Sequence, residues 1–153
     1  MKLAIICGIL FLSLASYFYF STSYSLSREA NRAYKDSNFK EAYALSSKAL
    51  EENPYNKSAF GIKSQSKQRL EVQKFMDKTK ENYKRATEIV TKGKLTPKEF
   101  LELKWIYDAF LEDLRILKFT NKPTDKENLE IKKYNEWFEH LNAQLQNAKT
   151  NKK

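Results

Sequence analysis

The chain reads as all-α. The expected order is an N-terminal transmembrane helix, a helical hairpin, and a long helix continuing into an antiparallel three-helix bundle. Three observations predict this. Gly and Pro are scarce, at 3 each in 153 residues, which leaves too few tight turns for an all-β chain. Apolar residues recur at alternating spacings of three and four over long stretches. The breaks between those stretches carry helix-capping signals. Aromatic residues at 14% and charged residues at 31% suit a packed core under a solvated surface rather than a disordered chain.

The first element is an 18-residue run without a charge, Leu3 to Phe20. At ~1.5 Å per residue a helix of that length spans roughly 27 Å, close to the ~30 Å hydrocarbon core of a bilayer. Tyr17, Phe18, Tyr19 and Phe20 crowd one end, with Tyr24 beyond, as in an aromatic belt at the membrane–water interface. The rival is a cleaved secretory signal, with Ser21 and Ser23 near the cut. A signal has a shorter apolar region of about 7–15 residues, so length favours a retained anchor over residues 1–22. Lys2 places the N-terminus inside and the remainder exported, against the weaker opposite pull of Arg28, Arg32 and Lys35. The chain is then a single-pass membrane protein, periplasmic or extracytoplasmic in its C-terminal part if bacterial. Ser21–Ser27 reads as a short, uncharged stalk.

Beyond it, helices are expected over about 24–36 and 39–52, broken by Asp36-Ser37-Asn38 and ended by Asn53-Pro54, since Pro disfavours helix at the preceding residue. A helix from Ser58 meets no breaker until Gly93. Thr96-Pro97-Lys98-Glu99 is a capping box with Pro in the first helical position, opening a helix to about Leu117. Asn121-Lys122-Pro123 makes the next turn. Thr124-Asp125-Lys126-Glu127 is a second capping box, for a helix to about Ala148.

The last three helices carry matching apolar seams. They are Val72, Met76, Thr79, Tyr83, Ala86, Val90; then Phe100, Leu103, Tyr107, Phe110, Leu114, Leu117; then Ile131, Tyr134, Phe138, Leu141, Leu145, Ala148. One seam per helix and short connections predict an antiparallel bundle over residues 71–148, with a disordered tail at 149–153. Trp105, Ile106 and Trp137 fall off the strict seams. They widen the buried face or mark a surface for another chain.

Residues 26–54, LSREANRAYKDSNFKEAYALSSKALEENP, form the hairpin. Ala30, Ala42 and Ala49 are small residues for close helix contact, Phe39 opens the second helix and Pro54 closes it. In these residues and their spacing the stretch resembles one tetratricopeptide repeat. Leu26, Glu29, Ala33 and Ser46 depart from the family's usual Trp, Leu, Tyr and bulky aromatic. The resemblance implies a degenerate repeat at about 23–56, with Ala59–Leu70 packed on it as a cap, so that residues 23–70 form one domain. It further implies protein binding through a groove lined by the first helix, here Tyr24, Arg28, Asn31, Tyr34 and Lys35. Asn31 matches the asparagine with which family members hold a peptide backbone or carboxylate. The companion lysine is replaced by Ser27.

The net charge of +9 is concentrated: residues 57–92 hold 10 basic and 4 acidic groups, and the rest of the chain is nearly balanced. A basic helix can face acidic lipid or nucleic acid, although Glu71, Asp77, Glu81 and Glu88 interrupt it and a solvated face is the simpler reading. Catalytic and metal motifs are not found. His140 is the only histidine, Cys7 the only cysteine, and Glu99/Glu102 and Glu136/Glu139 read as solvated faces. No cofactor is implied. The expected role is a membrane-anchored interaction or scaffold protein with a protein partner and no enzymatic activity. The alternatives are a self-associating structural subunit of an envelope assembly, then a basic helix for lipid or nucleic acid. Nucleic acid is disfavoured as a partner, and a homo-oligomer is compatible with the seams.

Overall fold

A computed structural model describes the backbone of residues 2–120 and 123–150; the side chains of residues 2–5, 14–15, 18–20, 118–120 and 148–150 lie outside the description. The expected turn at Asn121-Lys122, the interfacial rings Phe18, Tyr19 and Phe20, the seam residue Ala148 and the tail from 151 therefore fall outside the described residues. The protein is all-helical. In order, the elements are α1 (Lys2–Phe20), α2 (Thr22–Lys35), α3 (Phe39–Glu52), α4 (Lys57–Val90), α5 (Pro97–Thr120) and α6 (Asp125–Thr150). The chain divides into two compact units, residues 1–70 and 71–153, and α4 contributes to each.

Two expectations need correction. Ser21–Ser27 is not a stalk. Ser21 N-caps α2, and Ser23 and Ser27 are buried within it. The reason is tertiary: these small residues lie against neighbouring helices, which overrides the weak helix preference of a serine-rich stretch. The tail is also shorter than expected, because α6 continues to Thr150. Among the described residues, no helix is long and apolar enough to cross a membrane.

In the first unit, α2 and α3 form an antiparallel pair. Ser37 adopts a left-handed backbone (φ 61°) between them, and Asn38 N–H donates to Ala33 O at 2.9 Å across the end of α2. Asn38 then caps α3, accepting from Glu41 N–H at 3.4 Å. Ala30, Ala33, Ala42 and Ile62 form the apolar cluster, with Tyr34 and Leu45 packed against it. Ala49, Ala59, Ser46 and Ser66 are also fully buried. Side chains this small let helix backbones approach closely.

One polar latch holds the opposite end. Ser23 Oγ donates to Ala49 O at 2.7 Å. Asn56 Nδ2 donates to Ser23 Oγ at 2.9 Å and to Ser23 O at 3.3 Å. Asn56 Oδ1 accepts from Ala59 N–H at 3.1 Å, which makes Asn56 the N-cap of α4. Asn56 and Ser23 are almost wholly buried, so every bond lost here leaves a polar group unsatisfied.

The second unit has a larger core, shared by α4, α5 and α6. It contains Val72, Phe75, Met76, Ala86 and Ile89; Leu103, Ile106, Phe110, Leu114 and Leu117; and Ile131, Phe138, Leu141 and Leu145. Phe110 and Phe138 stack at 4.4 Å between centroids. The pairing gives helix directions. Lys92–Glu99, Arg85–Glu102 and Lys78–Asp113 run in opposite senses along α4 and α5. Lys80–Glu130 and Tyr83–Trp137 run in the same sense along α4 and α6. Gly93, at φ 79°, ends α4 in the left-handed conformation that costs glycine least. Both capping boxes form: Glu99 N–H donates to Thr96 Oγ1 at 3.2 Å and Thr96 N–H to Glu99 Oε2 at 3.0 Å, with the same reciprocal pair at Thr124 and Glu127.

Two predictions follow from the caps. Asn56→Ala removes a helix cap and strands the Ser23 hydroxyl, for a combined loss of about 2–4 kcal/mol in chemical denaturation. Glu99 sits in bonds from Lys92 and Thr96 that hold its carboxyl down from its ordinary 4.5 to about 2. Its folded form thus favours ionisation, contributing stability that is present above 4.5 and lost as pH falls through about 2. Thermal melts of Glu99→Gln are expected to lie below the parent at neutral pH and to converge with it across that acid window.

Candidate functional site

Four of the five residues expected to line a binding groove share one face of α2. Tyr24, Arg28, Asn31 and Lys35 follow each other at spacings of four, three and four, which stacks them along a helix. Arg28, Asn31 and Lys35 are exposed and Tyr24 is half-buried. The face opposite this stripe carries Ala30 and Ala33 into the cluster. Tyr34 is the exception. It packs against that cluster, its ring centroid 5.3 Å from that of Phe39, so it braces the hairpin rather than joining the stripe. The stripe is amphipathic: an aromatic ring at its start, an amide in the middle, and cations at Arg28 and Lys35. A surface of that kind suits a peptide with acidic and backbone acceptor groups.

A second surface emerges in the other unit. Tyr83, Lys126, Leu129, Glu130, Lys133, Tyr134 and Trp137 line a cleft of about 570 Å³. Tyr83 is its centre, edge-on to Tyr134 at 5.4 Å and to Trp137 at 4.6 Å. Lys80 pairs with Glu130 at 3.4 Å at the rim. Burial, with the Glu130 charge next in size, raises the Tyr134 phenol above its ordinary 10.0 and keeps it neutral. The sequence signal for this cleft was present. Tyr83 and Tyr134 lie on two seams, Trp137 adjoins the second, and rings of that size do not fit fully between helices.

The off-seam residues part company. Ile106 is buried, and Trp137 packs against the core through Phe138 at 5.1 Å. Trp105 is 73% exposed, with Leu101 one turn before it also exposed. Ile106 and Trp137 therefore widen the core, and Trp105 does not.

The two carboxylate pairs singled out in the sequence each have partners. Glu99 is held by Lys92 and Thr96, and Glu102 by Arg85 Nε at 2.7 Å. Arg85 pulls the Glu102 carboxyl below its ordinary value, the wrong direction for a general acid. Glu136 lies 3.8 Å from Lys132, and Glu139 accepts from Asn135 at 2.7 Å. His140 is exposed. Among the described residues, no three His, Cys, Asp or Glu side chains converge as a metal site would require. Of the ten basic groups in residues 57–92, Lys78, Lys80, Arg85 and Lys92 face carboxylates of α5 or α6.

Comparison with family models, curated proteins and solved structures finds no match to this chain.

The two tryptophans give a direct check on this division. Trp105→Ala is expected to shift stability by no more than about 0.5 kcal/mol, as for an ordinary surface change. Trp137→Ala removes an aromatic packed on the core and should cost about 2–4 kcal/mol in the same denaturation experiment.

Proposed function

We propose that the protein is a membrane-anchored protein-binding module, with α1 in the bilayer and the outer face of α2 receiving a partner. The observation that carries this reading is the α2 stripe, in which exposed Arg28, Asn31 and Lys35 line up with half-buried Tyr24 on a helix braced from behind by alanines. The hairpin resembles a degenerate tetratricopeptide repeat in its small residues and closing proline, with the start of α4 laid on it through Ile62. In that family the first helix of the pair lines the binding groove.

The anchor rests on the uncharged run Leu3–Phe20, eight of whose side chains lie outside the described residues in which no membrane-crossing helix is found. Ile6, Ile9, Leu10, Phe11 and Leu12 are all exposed. At about 100° per residue they point to every side of the helix. Apolar side chains exposed on every side of a helix, as these described ones are, are unfavourable in water and suited to lipid. Lys2 sets the N-terminus inside and the folded units outside. Arg28, Arg32 and Lys35 are the opposing charges in that assignment.

A self-associating envelope subunit is the second reading, and Trp105 beside Leu101 favours it: an exposed tryptophan on an otherwise charged helix is a natural anchor for a second chain. Light scattering of residues 21–153, which keeps α2 and Ser23, at high concentration separates the readings, since a strict monomer removes the homo-oligomer. Nucleic acid or acidic lipid on α4 has less support, because four of the ten basic groups in residues 57–92 pair with α5 or α6 and Glu71, Asp77, Glu81 and Glu88 interrupt the rest.

Site-specific photo-cross-linking in native membranes tests the primary reading. A photoreactive residue at Asn31 should give a discrete adduct that Arg28→Glu abolishes. The same reagent at Gln68, exposed on α4 in the same unit, should not give it. Identical adduct patterns from the two positions would sink the proposal.

A further inference from the structure

We infer that the turn between α3 and α4 is a second membrane contact, with Tyr55 and Phe60 seated in the lipid headgroup region beside the anchor. This rests on the reading of α1 as a membrane helix. Tyr55 is 88% exposed and Phe60 67% exposed, the two most exposed aromatic rings described in the first unit outside α1. Among the described residues of the first unit, neither is covered. Both lie within four residues of Asn56, which is wholly buried.

Asn56 fixes where they are. Its side chain bonds Ser23 at 2.9 and 3.3 Å, and Ser23 stands three residues beyond the end of α1. The chain leads into α2 with little slack: Ser21 N–H donates to Tyr17 O at 2.9 Å and Ser25 N–H to Ser21 O at 3.0 Å, bridging the two helices. The hairpin then carries the chain away along α2 and back along α3. So the α3–α4 turn returns to the end where α1 stops. Rings pinned there meet the interface that Tyr and Phe side chains prefer.

The occupant is a neutral lipid interface, not an acidic one. Glu51 and Glu52 end α3 and Lys57 begins α4, all exposed, so the turn carries one more negative than positive charge. Such a turn gains nothing from anionic headgroups, and its affinity comes from the two rings. The contact also sets a direction. With the turn on the membrane, α2 leads away from it, and the stripe from Tyr24 to Lys35 extends outward by roughly 16 Å.

The test uses the full chain, with Cys7→Ser as background, in phosphatidylcholine vesicles containing spin-labelled quencher lipids. A fluorophore is placed on Ser58→Cys, between the two rings and exposed, and separately on Lys40→Cys at the far end of α3. A third label on Leu10→Cys reports the anchor through a quencher set deep in the acyl chain. The expected result is loss of emission at 58 by headgroup quenchers, no loss at 40, and recovery at 58 in the Tyr55→Ser/Phe60→Ser double variant. Both substitutions remove exposed rings and leave the latch intact. If the label at 10 is quenched while 58 stays as bright as 40, the turn is not a membrane contact although the anchor stands. Quenching at 58 that survives loss of both rings overturns the inference as well. No quenching at 10 removes the anchor reading and this inference with it.

Discussion

The first unit depends on two buried polar side chains, Ser23 and Asn56. Alanine faces supply its packing, and alanines bury little apolar area. Leu26 and Leu50 are only half-buried, and Ile62 is the one large aliphatic in the central cluster. At about 25 cal/mol per Å2 of apolar surface, such a core leaves a small margin over chain entropy. A fully satisfied hydrogen-bond network adds direction where packing alone is permissive. Asn56 meets three requirements at once: it caps α4, holds the start of α2, and through Ser23 ties in the end of α3. Asp in its place would keep the cap and lose the amide donor that reaches Ser23.

The second unit is held differently, although α4 runs through both. Up to Leu70 the buried positions of α4 are Ala59, Ile62 and Ser66; beyond it they are Val72, Phe75, Met76, Thr79, Ala86 and Ile89. The large side chains Val72, Phe75, Met76 and Ile89 give the second unit a side-chain core, where the first relies more on close backbone contact. Charge then selects the pairing. Surface ion pairs add little to stability, but a set repeated along two helices disfavours other registers. Lys78, Arg85 and Lys92 meet carboxylates of α5 in order, and Lys80 meets α6. Four of the ten basic groups in residues 57–92 therefore serve assembly of the bundle.

Local signals were legible in the sequence. The Thr96–Glu99 and Thr124–Glu127 boxes act over three residues, and the seams repeat over several turns, so both can be read without knowing the partners. The latch could not be read, because Ser23 and Asn56 are 33 residues apart and neither is unusual in its own window. The same reasoning explains Ser21–Ser27, whose composition suggested a stalk and whose neighbours make it helix. Tyr34 was assigned to the groove from its place in the repeat pattern. Its position one residue off the stripe turns it towards Phe39. On α5, the helical period carries Ile106 into the core and leaves its neighbour Trp105 outside.

The shifted titrations bear on what such a surface can do. Burial raises Tyr134, and ion pairs or hydrogen bonds with neighbours move Glu99, Glu102, Arg85 and Arg115. In each case the group is held in the form it already has at neutral pH. An acid–base centre needs the reverse, a group brought close to the working pH by an environment that opposes its usual form. These shifts act on fixing helices; a binding role of the kind proposed would rest on shape and on the side chains at the surface. Tyr24, Arg28, Asn31 and Lys35 meet that requirement on a short, braced helix. The Tyr83–Trp137 cleft meets it with aromatic area and a lysine rim. The first surface is polar and linear and the second apolar and concave, so the two would suit partners of different chemistry.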